Sequence, residues 1–342
     1  MNKLIFGLSV LIVFACNTKI QEKFKKDTLG NQFHDHHVHI MSPQLISLWK
    51  NMGIPFSKED CYYADIDTIL NATKAQSVSL ISMAYVYSSE EFGDGAENVE
   101  EKIRSENDYL AYAKLKHPNT INAFYGIDPL QESALSEIER CHKKLKLDGI
   151  KLHNNASQVY LTVPEHLKKV KAVFRYASDN KIPILMHFDN SHRKFGRTDV
   201  KILSDSVLAE LKYVNLQIAH FGTSGGFNQK TKEVLDAFIE LFKSNHPISK
   251  HTITFDISAV CLDKDAEGVT KLTDKDFVEL AEYSRKLGFD RIAFGTDYPL
   301  YRSDEYLNLL MMKLKLTEDE VTNLMKEKRP ITCVWPHAGR HW

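Results

Sequence analysis

Phe33-His34-Asp35-His36-His37-Val38-His39-Ile40 opens the part of the chain that reads as structure, and it is an odd strand: apolar at both ends, yet carrying four histidines and an aspartate. In an extended segment side chains alternate, so Asp35, His37 and His39 are expected on one face. Seven further short apolar runs follow at intervals filled by longer amphipathic stretches. They are Ser77–Ala84, Thr120–Ile127, Asp148–His153, Pro183–His187, Asn215–Phe221, Thr252–Ser258 and Asp290–Asp297. Between them the apolar spacing is helical, as in Leu135–Leu145, Val163–Tyr176, Thr231–Phe242 and Asp274–Leu287. Strands alternating with helices imply a parallel sheet. Eight such units, with no dinucleotide-type glycine fingerprint, favour a closed (β/α)8 TIM barrel in a single α/β domain over a doubly wound sheet.

Composition narrows the class. The 342 residues are 43% hydrophobic, with 44 Lys and Arg against 45 Asp and Glu, a formal net charge of −1. A disordered chain would be less apolar and more charged, and a nucleic-acid partner would call for a basic excess, whereas these lysines are interleaved with acids. No Pro-, Gly- or Ser-rich linker divides the segment after Phe33, so one domain is expected.

Several of the strand-like runs end in residues a buried strand would not choose: His37 and His39, Lys151 and His153, His187, His220, Asp256 and Asp297. At the C-terminal end of barrel strands these side chains would converge on one mouth. His37 and His39 make a ready pair of metal ligands, and with His187 and Asp297 the set becomes three nitrogens and one carboxylate, suited to Zn²⁺ or a similar divalent ion with a position left for water. Lys151 and His153 are open between contact with a second metal and contact with substrate. Asp35 is expected behind the ligands, orienting one imidazole. Tyr85, Tyr87, Arg193, Lys194 and Arg197 follow the second and fifth strands, where a basic cluster would suit a substrate carboxylate. The long connection Met41–Tyr63 reads as a lid.

Asp35-His36-His37-Val38-His39, Gly149-Ile150-Lys151-Leu152-His153, Ile184-Leu185-Met186-His187, Ile218-Ala219-His220-Phe221-Gly222 and Phe294-Gly295-Thr296-Asp297-Tyr298-Pro299 together resemble the signature strands of the amidohydrolase superfamily. The resemblance is closest to its amidohydrolase-related branch of TIM-barrel metal-dependent hydrolases, which also contains nonoxidative decarboxylases of aromatic acids. It implies His37, His39, His187 and Asp297 as ligands of one divalent ion, Zn²⁺ or else Mn²⁺, with Asp297 and His220 as the catalytic side chains. In binuclear members a carboxylated lysine ends the fourth strand, where Lys151 stands, while the surrounding motifs resemble the single-metal branch.

The functional expectation is hydrolysis of an amide, ester or lactone in a small-molecule substrate, with decarboxylation of an aromatic acid as the alternative. Gly222-Thr223-Ser224-Gly225-Gly226 also fits the G-x-S-x-G pattern of a serine nucleophile, with Asp297 and His337 to complete a triad. That reading leaves the His-x-His pair and His187 without employment. A noncatalytic ligand-binding lipoprotein is the reading from another class.

The N-terminus reads as a processing signal. Lys3 precedes the apolar run Leu4–Phe14, too short for a membrane span of about 20 residues but right for an export signal. Val13-Phe14-Ala15-Cys16 resembles a bacterial lipobox, which implies cleavage before Cys16 and lipidation of that cysteine. The expected layout is therefore a signal over 1–15, a polar, Lys-rich tether over 16–32, the barrel over 33–327 and an atypical tail over 328–342, where Pro330 and Pro336 break any helix. On this reading the protein is exported and anchored in the bacterial cell envelope by acyl chains. Homo-oligomerisation is left open, as is the pairing of Cys61, Cys141, Cys261 and Cys333.

Overall fold

The computed structural model describes residues 33–326 apart from 94, 96, 97 and 267. The readings of 1–32, with Cys16, and of the tail beyond 326, with His337, fall outside the described residues. The elements in order are β1 (His34–Ile40), α1 (Pro43–Asn51), α2 (Cys61–Ala64), α3 (Ile66–Thr73), β2 (Ser77–Ser82), α4 (Val99–Lys116), β3 (Ile121–Ile127), α5 (Ala134–Glu139), β4 (Gly149–His153) and α6 (Pro164–Asn180). They continue with β5 (Ile184–His187), α7 (Arg197–Ile202), β6 (Asn215–Ile218), α8 (Gln229–Lys243), β7 (Thr252–Asp256), α9 (Asp274–Leu287), β8 (Ile292–Ala293), α10 (Ser303–Leu314) and α11 (Glu318–Met325).

The eight strands pair in parallel in the order β1 to β8. The ends of the sheet meet where the His36 N–H donates to the Phe294 carbonyl at 2.9 Å and Val38 bridges to Tyr298, so the sheet closes into a (β/α)8 barrel. Ile81, Phe124, Leu185 and Ala219 plug its interior, while the main core lies between the sheet and the helices. Parallel strands covered by helices on the outside and by one another inside are buried on both faces, as β2 and β5 are along their whole length.

Several strand boundaries differ from the sequence reading. The expected second strand ends early because Ala84–Ser88 forms a 3₁₀ turn, the sixth because the backbone turns at His220 and Phe221, and the pairing of β7 and β8 stops at Asp256 and Ala293. His220, Phe221 and Asp297 adopt left-handed backbone, with φ of 52°, 54° and 54°, so the chain turns at the mouth instead of running straight on. Such conformations in non-glycine residues persist where surrounding structure holds them, often at functional sites.

The Met41–Tyr63 connection is not an open loop. Ser42 caps α1 by accepting from the Leu45 N–H, Pro43 sits at the first helical position, and Leu45, Ile46 and Tyr63 pack with Tyr85, Val86 and Tyr87 in a second apolar cluster. Trp49 lies tilted against Phe56 and Phe92 and donates from Nε1 to the Phe92 carbonyl at 3.0 Å. Cys61, Cys141 and Cys261 are free thiols.

Candidate metal centre

Strand β1 carries a bulge: Asp35 pairs with Val78 and Val38 with Leu80, so His36 and His37 together face Ser79. One extra residue reverses the alternation. The expectation that Asp35 shares a face with His37 and His39 is therefore corrected: Asp35 points to the helical layer, where it accepts from Ser303 Oγ of α10 at 2.9 Å. It also accepts from Thr296 Oγ1 at 2.8 Å and from the backbone N–H groups of Thr296 and His37 at 3.1 Å. Burial pushes its pKa up to about 6 against those hydrogen bonds. Asp35 thus splints β1 to the β8 end and touches no imidazole.

The residue that orients an imidazole is Asp256, which ends β7. Its Oδ2 accepts from His37 Nδ1 at 3.0 Å and from Gln217 Nε2 at 2.7 Å. Its Oδ1 accepts from the His220 N–H at 3.0 Å and from Ser258 Oγ at 2.5 Å. Burial opposes this charge, but His37, His220 and the Ser258 hydroxyl hold Asp256 below the usual carboxylate range. A carboxylate can only accept, so Nδ1 of His37 carries the proton and Nε2 presents a lone pair. That Nε2 is buried, makes no hydrogen bond and lies 3.4 Å from Asp297 Oδ1. Burial, with Lys151 nearby, pushes the His37 imidazole down to about 3 and keeps it neutral.

His39 Nε2 lies 3.2 Å from the same Oδ1, and burial lowers its pKa too. Burial works against ionisation of Asp297, yet His220, His39 and His37 hold its carboxyl below the usual range. Single ligand atoms of His37, His220 and Asp297 lie within 4.8 Å of one another. His187 stands outside that triplet: its ring meets His220 at 5.2 Å between centroids, and its Nε2 approaches Ser224 Oγ at 3.3 Å. An orphaned buried nitrogen aimed at a carboxylate, backed by a carboxylate on its other nitrogen, is the donor chemistry a divalent ion uses, so these residues fit one.

His220 Nδ1 lies 2.9 Å from the Ser258 carbonyl and 3.0 Å from the Ser258 hydroxyl. The carbonyl accepts, which assigns the proton to Nδ1 and leaves Nε2 without a partner among the described residues. Opposite, on β4, Lys151 is 1% exposed and makes no hydrogen bond or ion pair with any described residue. Burial lowers its pKa to about 8, with Asp256 and Asp297 pulling the other way. His153 is stacked between Tyr85, at 4.7 Å, and His187, at 3.9 Å and 11° between ring planes.

The expected basic cluster is divided. Arg197 pairs with Glu240 on the outer surface, whereas Arg193 lines a polar cavity of about 500 Å³ beside the mouth with Asn155, Gln158, Tyr160 and Asn190. Tyr85 and Tyr87 are buried, and Tyr87 OH reaches Glu106 at 3.5 Å. Ser224 sits in a glycine loop whose helix begins only at Gln229, not at the apex of a tight strand-to-helix elbow. Sequence reading gave Asp256 no role beyond an out-of-place strand end; the signal available was Asp256-Ile257-Ser258, two polar residues on one face of a buried segment.

No curated protein matches the chain by sequence. Among solved structures, 5-carboxyvanillate decarboxylase from Sphingomonas paucimobilis has a TM-score of 0.58 at 12% identity, covering 86% of this chain and 96% of its own. Dihydroxybenzoic acid decarboxylase from Polaromonas sp. JS666, with bound manganese, has 0.57 at 15%, covering 86% and 94%. A candidate amidohydrolase from Staphylococcus aureus has 0.57 at 18%, covering 86% and 97%. At these identities the likeness is one of fold. The family model described as Amidohydrolase matches residues 35–327, and on that span the chain belongs to the amidohydrolase superfamily.

Proposed function

We propose that this chain is a metal-dependent hydrolase of an amide, ester or lactone bond, its ion held by His37, His39, His187 and Asp297. The observation that carries the reading is the orphaned Nε2 of His37, fixed as a lone-pair donor by Asp256 and facing Asp297 at the C-terminal mouth of the barrel. A divalent ion there, Zn²⁺ or Mn²⁺, would polarise the substrate carbonyl and make water acidic enough to act near neutral pH.

The protein's own groups handle the protons. Water adds through its oxygen to the carbonyl carbon, giving a proton to a carboxylate oxygen of Asp297. The C–N or C–O bond then breaks, and the same proton passes to the leaving nitrogen or oxygen. His220 Nε2, free because Nδ1–H is committed to Ser258, is a second acceptor when neutral and a donor to the developing oxyanion when protonated. The polar cavity beside the mouth supports a substrate with polar substituents. The reading of residues 1–32 would put this enzyme on the cell envelope, which fatty-acid labelling of the full chain against Cys16→Ser would test.

The decisive experiment measures metal content and turnover together. The protein is expected to hold about one equivalent of zinc or manganese, to hydrolyse members of an ester, lactone and amide panel, and to lose both with a chelator, His37→Ala or Asp297→Asn. Full activity in chelator would overturn the reading. Decarboxylation of an aromatic acid is the second reading, suggested by the named reactions of the structural neighbours. Release of CO₂ without consumption of water would select it.

A further inference from the structure

We propose that Lys151 and His153 of β4 form a subsite for a carboxylate or similar oxyanion of the substrate, set across the mouth from the ligands on β1 and after β8. This deepens the function proposed above by naming the charge its substrate carries, and it rests on that reading only for the ion's contribution. The two residues are two apart on a strand paired in regular register, Lys151 opposite Leu185 and His153 opposite His187, so their side chains share the inner face.

Lys151 is almost wholly buried and makes no ion pair with a described residue, while Asp256 and Asp297 act on it only through space. A buried ammonium without a partner is costly, and an arriving anion removes the cost. His153 adds a directed donor. The Ala156 N–H donates to its Nδ1 at 3.2 Å, so in the neutral ring the proton sits on Nε2, which has no partner among the described residues. The Tyr85 and His187 rings fix the imidazole plane from both sides. The β4 side of the mouth therefore offers two N–H donor groups. An ion held by the ligands across the mouth would add to the positive charge that an anionic substrate meets there.

The test compares benzoate with its neutral isostere benzamide by titration calorimetry on the full protein, Lys151→Met and His153→Phe, with metal content measured on the same samples. The His153→Phe substitution keeps a ring between Tyr85 and His187 but removes the N–H. Benzoate is expected to bind Lys151→Met about tenfold or more weakly and His153→Phe several-fold more weakly than the unmutated protein, with benzamide unchanged. Benzoate that binds all three alike, or none of them, overturns the subsite. Two equivalents of metal falling to one in Lys151→Met would also overturn it, by making Lys151 a ligand. If the protein holds no metal, the hydrolase reading fails, while the comparison of benzoate affinities still decides this one.

Discussion

Asp256 is a buried carboxylate with four donors around it, and by accepting from one of them, His37 Nδ1, it fixes a histidine. Replacing it by Asn keeps the size but lets the amide either accept from or donate to His37 Nδ1, so the tautomer is no longer imposed. Partners of this kind are worth about 10–100-fold in metal affinity. Asp256→Asn is expected to lower zinc affinity by that order in competition with a chromophoric chelator, and an unchanged affinity would show that His37 does not hold the ion through Nε2. Gly222 makes a different point at the same scale: its φ is +88° and a Cβ there would meet Val234 Cγ1 at 2.7 Å. Gly222→Ala is expected to cost about 1–3 kcal/mol in urea unfolding, since neither the backbone nor a β-branched neighbour can give way freely.

The connection between β1 and β2 is pinned by an element from farther along the chain. Glu106 of α4 accepts from the Ser42 N–H at 2.7 Å and the Ser42 hydroxyl at 2.5 Å, where Ser42 caps α1. Burial outweighs these bonds and lifts its pKa from 4.5 to about 7. A carboxyl with a raised folded pKa binds its proton more tightly folded than unfolded. The stability it contributes is thus complete below about 4.5 and lost as the pH climbs through about 7. Glu106→Gln is expected to flatten that fall, matching the unmutated protein near pH 5 and exceeding it at pH 8 by up to about 2–3 kcal/mol. Equal pH profiles for the two proteins would mean that Glu106 ionises in the folded state as easily as in the unfolded chain.

Ligands drawn from β1, β5 and the turn after β8 tie the proposed ion to the closure of the whole barrel, because the β1–β8 seam is held by few hydrogen bonds and by Asp35. An ion that binds only the folded protein stabilises it by about 4 kcal/mol at a free concentration of 1,000 times its Kd. Saturating zinc is expected to raise Tm by several degrees and a chelator to reverse this, while His37→Ala shows no response to either. A His37→Ala protein that gains as much from zinc as its parent would put the ion elsewhere.

The chain by itself settled the architecture, because helix and strand periods are local properties: eight apolar runs with amphipathic spacers leave few closed arrangements. It also put forward the candidate site residues, since polar residues ending buried strands are out of place in any such sheet. Legibility stopped where one residue's direction depends on a distant partner. The bulge that turns Asp35 outward is set by closure against Thr296 and Ser303, and an even alternation in the sequence carries no trace of it. Which carboxylate backs His37, which nitrogen His220 and His153 present, and why Lys151 stands unpaired are decided by groups that lie far apart along the chain and meet only when the barrel closes.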